Sequence, residues 1–74
     1  MGSCIDRLKD ILDSSTIENE DLIEEFINDA EEDPKKAEAI ERFFDNASTP
    51  NPFDEGLGYY DLLQHYEDIQ DEED

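Results

Sequence analysis

The sequence has little positive charge. Lys and Arg together number five, against 24 Asp or Glu, and the formal net charge is −19. Binding of nucleic-acid phosphates requires clustered Lys and Arg, because the energy comes from counterions released as the phosphates are neutralised. Direct contact of this protein with DNA or RNA is therefore not expected.

Cysteine and histidine each occur once, as Cys4 and His65. A single cysteine excludes an intramolecular disulfide framework and a thiolate zinc cluster. A Cys–His catalytic couple has no supporting motif in this sequence, so an ordinary surface histidine and a small apolar cysteine are the favoured interpretation. We therefore expect no enzymatic activity and no catalytic residue.

Acidic residues are abundant, but the spacing of a calcium-binding EF-hand loop is missing. A loop that starts at Asp45 would place Pro50 where the motif needs glycine, and a loop from Asp29 would place Pro34 there. Glycine-rich phosphate loops are also absent, and Gly56 more simply permits a turn. The sequence predicts no metal site and no cofactor.

Valine and tryptophan are absent, and no long apolar run is present. Few strand formers and many Glu, Asp, Leu and Ala favour an all-α fold. No segment has the length of a membrane-spanning helix, and the N-terminus lacks the apolar run of a signal peptide. We expect a cytoplasmic protein without membrane contact.

Apolar residues recur at helical spacing along most of the chain. The pattern predicts a single helical domain over residues 1–74, a small bundle of three to four short helices with an acidic surface and a frayed acidic tail at 70–74. The predicted helices are Cys4–Asp13, Ile17–Glu32, Pro34–Asn46 and Leu57 or Gly58 to Ile69. Their expected caps are Ser3, then Ser15 with Glu18 (or Thr16 or Asn19), then Asp33 before Pro34, and finally Asp54 or Glu55.

The predicted second helix separates apolar and acidic residues sharply. Its buried face is predicted to consist of Leu22, Ile23, Phe26, Ile27 and Ala30. No cation lies between Lys9 and Lys35, so the opposite face has only like-charged neighbours. An ordinary solvent-facing helix mixes positive and negative side chains to gain favourable pairs four residues apart.

Between the third and fourth helices, Phe53 is expected to anchor the loop 46–56 on the core.

The short length, the segment "ENEDLIEEFINDAEED" and the acidic end "YEDIQDEED" resemble the small acidic DNA-mimic proteins of phages and mobile elements. That class includes anti-restriction and anti-CRISPR proteins. The resemblance is one of charge and size, and it covers roughly half of the chain. It implies an inhibitor that acts in the host cytoplasm on a basic nucleic-acid-binding protein, such as a CRISPR effector, a restriction enzyme, a polymerase or a repressor.

The candidate partner-binding residues are acids that point away from the apolar stripes, together with one tyrosine. The first row is Glu20, Asp21, Glu24, Glu25, Asp29, Glu31 and Glu32. The second row is Asp61, Glu67, Asp68, Asp71 and Glu72. Tyr60 is either an interface anchor or a tyrosine at the edge of the core, because adjacent Tyr59 and Tyr60 cannot both face one core line.

Three other interpretations stay open. The chain could be a small acidic regulatory or assembly module that binds a basic partner unrelated to nucleic acid. High acidity could instead reflect adaptation to salt. A wide apolar face around Phe43 and Phe44 could also support a homodimer, which would enlarge a small core.

Overall fold

The structure, a computed structural model, describes residues 4–49 and 51–73, and in this part of the chain it contains four α-helices and no strand. The helices are α1 (Cys4–Ser14), α2 (Glu20–Ala30), α3 (Pro34–Asn46) and α4 (Tyr59–Glu73). A short 3-10 helix, Pro52–Glu55, precedes α4. The predicted all-α class and small helical bundle are confirmed.

Helix α3 is the centre of the bundle and packs against α1, α2 and α4. Its Ala39, Ile40 and Phe43 are fully buried, on one stripe with helical spacing. The other helices contribute the rest of the apolar core, namely Leu8, Leu12, Ile23, Phe26, Ile27, Ala30, Leu62 and Ile69. No polar or charged residue among the described positions is buried, so the core is small and depends on apolar packing.

The start of α3 is as predicted. The carboxylate of Asp33 accepts a hydrogen bond from the Lys35 N–H at 3.0 Å, and Pro34 occupies the first helical position. A proline costs nothing there because its missing N–H would have no intrahelical partner. The end at Asn46 also agrees with the prediction.

Helix α2 begins three residues later than predicted, at Glu20 rather than Ile17. Asn19 is its N-cap and has φ of 62°, in the left-handed region that a right-handed helix cannot include. The capping box expected from Ser15 and Glu18 does not form, and the Asn19 side chain makes no capping hydrogen bond. The helix also ends at Ala30, before the predicted Glu32.

Helix α4 is capped by a residue that was predicted to bind a partner. The Asp61 carboxylate accepts the Gly58 N–H at 2.9 Å, which orders the first turn. Glu55, one of the two expected caps, instead accepts the N–H of Ser48 at 2.8 Å. At its other end α4 continues past Ile69 to Glu73, so residues 70–73 are helical rather than frayed. Ser3, the cap expected for α1, and Asp74 lie outside the described residues.

The loop between α3 and α4 contains more structure than its prolines suggested. Pro52 opens the 3-10 helix at a position that needs no N–H, and Asn51 caps it through a 3.1 Å bond to the Phe53 N–H. As predicted, Phe53 anchors the loop, with its ring centroid 5.6 Å from that of Phe43. Gly56 ends the 3-10 helix with φ of 88°, which glycine adopts without strain.

Leu22 was predicted to be buried, but 42% of its surface is exposed. Helix α4 packs mainly against α3 and approaches α2 at the edge-to-face contact between Phe26 and Tyr66, whose ring centroids are 6.0 Å apart. Leu22 lies one turn before Phe26. Its side chain is therefore left at the boundary between the core and the solvent.

Truncation of Phe43 and of Leu22 should have very different effects on stability. Phe43→Ala removes a fully buried ring and should cost about 3–5 kcal/mol, which would unfold much of a small domain. Leu22→Ala should cost only about 0.5 kcal/mol, as for other surface positions. Urea unfolding followed by far-ultraviolet circular dichroism measures both, and equal losses would contradict the exposed position of Leu22.

Candidate partner-binding face

Two of the five cations tie α2 and the turn after it to neighbouring helices. The Lys9 ammonium of α1 lies 2.6 Å from the Glu31 carboxylate, just past the end of α2. Lys36 of α3 lies 2.8 Å from the carboxylate of Asp29. These positive charges are held between helices, where they offset the repulsion that opposes packing.

Lys36 has a further role in holding α2 close to α4. Its ammonium lies 5.4 Å from the centre of the Phe26 ring and 5.5 Å from that of Tyr66, within cation–π range of both. The hydrogen bond to Asp29 raises the pKa of Lys36, with burial acting in the opposite direction. The ammonium therefore stays charged in the folded state.

Arg42 joins α3 to α4 through a forked pair of hydrogen bonds to Glu72, at 2.6 and 3.3 Å. It also lies 3.1 Å from Glu38 within its own helix. The hydrogen bond and the charge of Arg42 lower the pKa of Glu72. This link lies in the last turn of α4, beyond Ile69.

The outward side of α2 receives little of this positive charge. We call its five carboxylates, Glu20, Asp21, Glu24, Glu25 and Asp29, the α2 acidic face. Asp21, Glu24 and Glu25 are exposed and form no ion pair with any described residue. Glu20 is half-buried and, like Glu24, lines a shallow space beside Lys9 of α1. Three of the five acids on this face therefore carry a negative charge that no cation among the described residues compensates.

The unpaired charge of this face is less dense than that of a single phosphate strand. Helix α2 has 11 residues and is about 16 Å long. Its three exposed and unpaired carboxylates, Asp21, Glu24 and Glu25, give about one negative charge per 5.5 Å of helix, against about 3.4 Å per strand of B-DNA. The predicted longer helix would have extended this row, but Glu31 and Glu32 lie instead in the turn before α3. Glu32 is exposed and continues the negative charge beyond the helix end.

Two acids of the second predicted row have partners within the fold. Asp61 caps the start of α4 and Glu72 binds Arg42, so both carboxylates have partners inside the fold. Asp68 accepts a long hydrogen bond of 3.4 Å from Gln64. Glu67 and Asp71 are exposed, four residues apart on the same side of α4. Only these last two resemble Asp21, Glu24 and Glu25 of α2 in having no partner among the described residues.

An apolar groove that sequence reasoning missed runs between α2 and α4. It has a volume of about 330 Å³. Leu22 and Phe26 line one side, Tyr59, Leu63 and Tyr66 line the other, and Glu25, Asp29 and Lys36 complete the lining. The signal in the sequence was Leu22, which lies on the edge of the apolar stripe next to the acids. We call this feature the α2–α4 groove.

Tyr60 is the most exposed large apolar side chain among the described residues, with 74% of its surface accessible. Its ring centroid lies 6.0 Å from that of Tyr59, which is half-buried. Tyr60 is therefore well outside the core and beside one end of the α2–α4 groove.

The apolar face expected around Phe43 and Phe44 is not exposed. Phe43 is fully buried, and the Arg7 guanidinium lies 5.0 Å from the centre of the half-buried Phe44 ring. The two rings pack edge to face at 5.9 Å. This region does not present the wide apolar surface that suggested a homodimer.

Cys4 and His65 share no hydrogen bond in the described part of the chain. Burial, followed by the charge of Glu41, raises the pKa of the Cys4 thiol, which makes it a poorer nucleophile. His65 Nε2 lies 3.1 Å from the side-chain nitrogen of Asn46. Over residues 4–49 and 51–73, no group of three or more His, Cys, Asp or Glu is placed to hold a metal ion.

None of the described helices combines the length and the apolar character needed to cross a membrane. In comparisons with known proteins, no protein family, no curated protein and no solved structure matches this chain. Function is therefore inferred from the chain's own residues and their arrangement.

Added salt should stabilise the fold, because repulsion among 24 acids outweighs the few ion pairs. Going from about 0.01 M to about 1 M NaCl shortens the Debye length from about 30 Å to about 3 Å. We expect the thermal midpoint to rise over this range in differential scanning calorimetry. A falling midpoint would mean that the ion pairs contribute more than the repulsion does.

Glu72 should titrate at a lower pH than a solvated glutamate. Arg42 stabilises its ionised form, so the stability from this pair is present above the ordinary glutamate pKa and is lost as pH falls through the lowered pKa. Carboxyl-detected NMR measures this titration directly. Arg42→Gln should return the pKa of Glu72 towards its ordinary value, whereas Lys9→Gln, which removes a different ion pair, should leave it unchanged.

Proposed function

We propose that this protein is a nucleic-acid mimic that inhibits a DNA- or RNA-binding protein by occupying its basic groove. The observation that supports this most directly is the α2 acidic face, where Asp21, Glu24 and Glu25 are exposed without cationic partners. Their repulsion destabilises the helix. A binding partner that supplies Lys and Arg would relieve it.

The mode of inhibition follows from charge matching. A groove that binds nucleic acid carries cations spaced for phosphates, and α2 offers three exposed carboxylates, continued by Glu32 beyond its end, for such cations to bind. Docking would release the counterions held by both surfaces, and the opposite potentials would accelerate encounter. Inhibition would be competitive with nucleic acid and would need no catalysis. Targets of this kind include CRISPR effectors, restriction enzymes and polymerases.

A second candidate function is an acidic regulatory or assembly module whose basic partner does not bind nucleic acid. The α2–α4 groove favours it, because an apolar groove with exposed Leu22 is suited to a protein side chain rather than to competition for phosphates. The two functions differ in one measurable respect. Nucleic acid displaces the partner only if it uses the same surface.

Reversal of the exposed charges near α2 should abolish binding while the fold survives. The variant combines Asp21→Lys, Glu24→Lys, Glu25→Lys and Glu32→Lys, all at exposed positions. The matched control combines Asp10→Lys, Glu41→Lys, Asp45→Lys and Asp54→Lys, which changes the net charge equally at exposed positions elsewhere. Circular dichroism should show helical content like that of the natural protein in both variants.

The binding measurement is capture from host lysate at low salt, with elution in parallel by salt, by duplex DNA and by structured RNA. We expect the natural protein and the control variant to capture a nucleic-acid-binding protein that nucleic acid releases. The α2 variant should capture none of it. Equal loss in both variants would show that net charge alone matters, and a partner indifferent to nucleic acid would favour the assembly module.

A further inference from the structure

Helices α2 and α4 run parallel on the two sides of the α2–α4 groove. The residues just before α2 and the start of α4 line one common pocket, which includes Asn19 and Tyr60. Further along, Phe26 contacts Tyr66, and the Tyr66 hydroxyl lies 3.4 Å from the Asp33 carboxylate beyond the end of α2. The two helices thus run side by side from matching ends, with the groove between them.

The length of the groove suits a short helical segment. Its lining extends from Leu22 to Asp29 on α2 and from Tyr59 to Tyr66 on α4. Each stretch covers about 10 Å at 1.5 Å per residue, or about two helical turns. Apolar side chains form the floor, and Leu22, with 42% of its surface exposed, could still be covered by an incoming side chain.

Two acids of α2, Glu25 and Asp29, line this groove, and the one cation in its lining, Lys36, is paired with Asp29. On α2, Asp21 and Glu25 follow one another at four-residue spacing beside Leu22. On α4, Glu67 lies one turn beyond Leu63, next to the end of the groove. Because Asp29 already pairs with Lys36, the acids Asp21, Glu25 and Glu67 leave a negative charge around the apolar side chains. This arrangement is complementary to a helix with an apolar stripe flanked by Lys or Arg.

We infer that the α2–α4 groove binds a basic amphipathic helix of the protein's partner. The partner's apolar side chains would cover Leu22 and Leu63, and its cations would lie against the acids beside the groove. This inference rests on the proposed function only in taking the partner to be a basic protein. It adds a specific, salt-resistant contact to an otherwise electrostatic interaction.

A second copy of this chain is a poor occupant by comparison. Each copy carries a formal charge of −19, and pairing the grooves would bring the acids beside the two grooves together. Like-charge juxtaposition of this kind opposes association. A basic segment relieves the same repulsion, so charge complementarity selects the partner helix.

Two synthetic peptides of identical composition test the inference directly. Both contain only Leu, Ala, Arg and Lys; in one the leucines form a single helical stripe, and in the other they are distributed around the helix. The protein is titrated with each labelled peptide by fluorescence anisotropy at about physiological ionic strength, where the Debye length is about 8 Å. The variants are Leu22→Gln, the control Asn28→Gln on α2 outside the groove, and the fourfold α2 reversal.

We expect the striped peptide to bind about tenfold more tightly than its scrambled counterpart. A tenfold difference in affinity is about the effect of burying one additional leucine side chain. Leu22→Gln should remove this preference, and Asn28→Gln should preserve it. The inference would be overturned if the two peptides bound equally, or if Leu22→Gln kept the preference for the striped peptide. It would also be overturned if sedimentation showed that the protein self-associates through the groove. In the fourfold variant, which reverses Asp21 and Glu25, we expect both peptides to bind more weakly and the stripe preference to persist. Undiminished affinity would contradict both the acids' role beside the groove and the mimic, whereas weaker binding with no stripe preference in the natural protein would overturn the groove alone.

Discussion

Mutual repulsion of like charges is the constraint on which the rest of this structure depends. Five cations must stabilise a small core against 24 acids, and three of them, Lys9, Lys36 and Arg42, join different parts of the fold. Placed on the outward side of α2, the same cations would stabilise that helix locally and leave the junctions between helices unsupported. Because these cations pair with acids between helices, the outward side of α2 stays negative. The fold and the proposed binding surface therefore have the same physical origin.

The helix boundaries that the sequence predicted correctly are those set by residues adjacent in sequence. Asp33 followed by Pro34 defines the start of α3, since the carboxylate caps the helix and the proline needs no partner for its nitrogen. The start of α2 could not be predicted in this way. Several residues from Ser15 to Asn19 could each cap a helix, and the choice depended on the left-handed backbone of Asn19, which periodicity does not reveal. The last turn of α4 contains Glu72, whose partner Arg42 is 30 residues away and is not revealed by any local pattern.

For the candidate site, composition identified the acidic surface but not the distribution of partners within it. Asp61 and Glu72 look like the other acids of α4 in the sequence. In the structure, however, Asp61 caps the helix and Glu72 binds Arg42. Leu22 shows the converse. Its position on the helical stripe predicted burial, and its exposure follows from the path of α4, which packs on α3 and leaves a groove beside α2. The cap by Asp61 is local, but the Glu72–Arg42 pair and the exposure of Leu22 depend on tertiary packing and are not encoded in any short segment.

The aromatic residues have a consequence for observing this protein. The sequence contains no tryptophan, and its three tyrosines, Tyr59, Tyr60 and Tyr66, all belong to α4. Two of them line the α2–α4 groove and the third stands beside its end. The intrinsic ultraviolet emission of the folded chain therefore originates almost entirely at one side of the molecule. The protein carries its own optical reporter of whether that groove is empty or covered, without any added label.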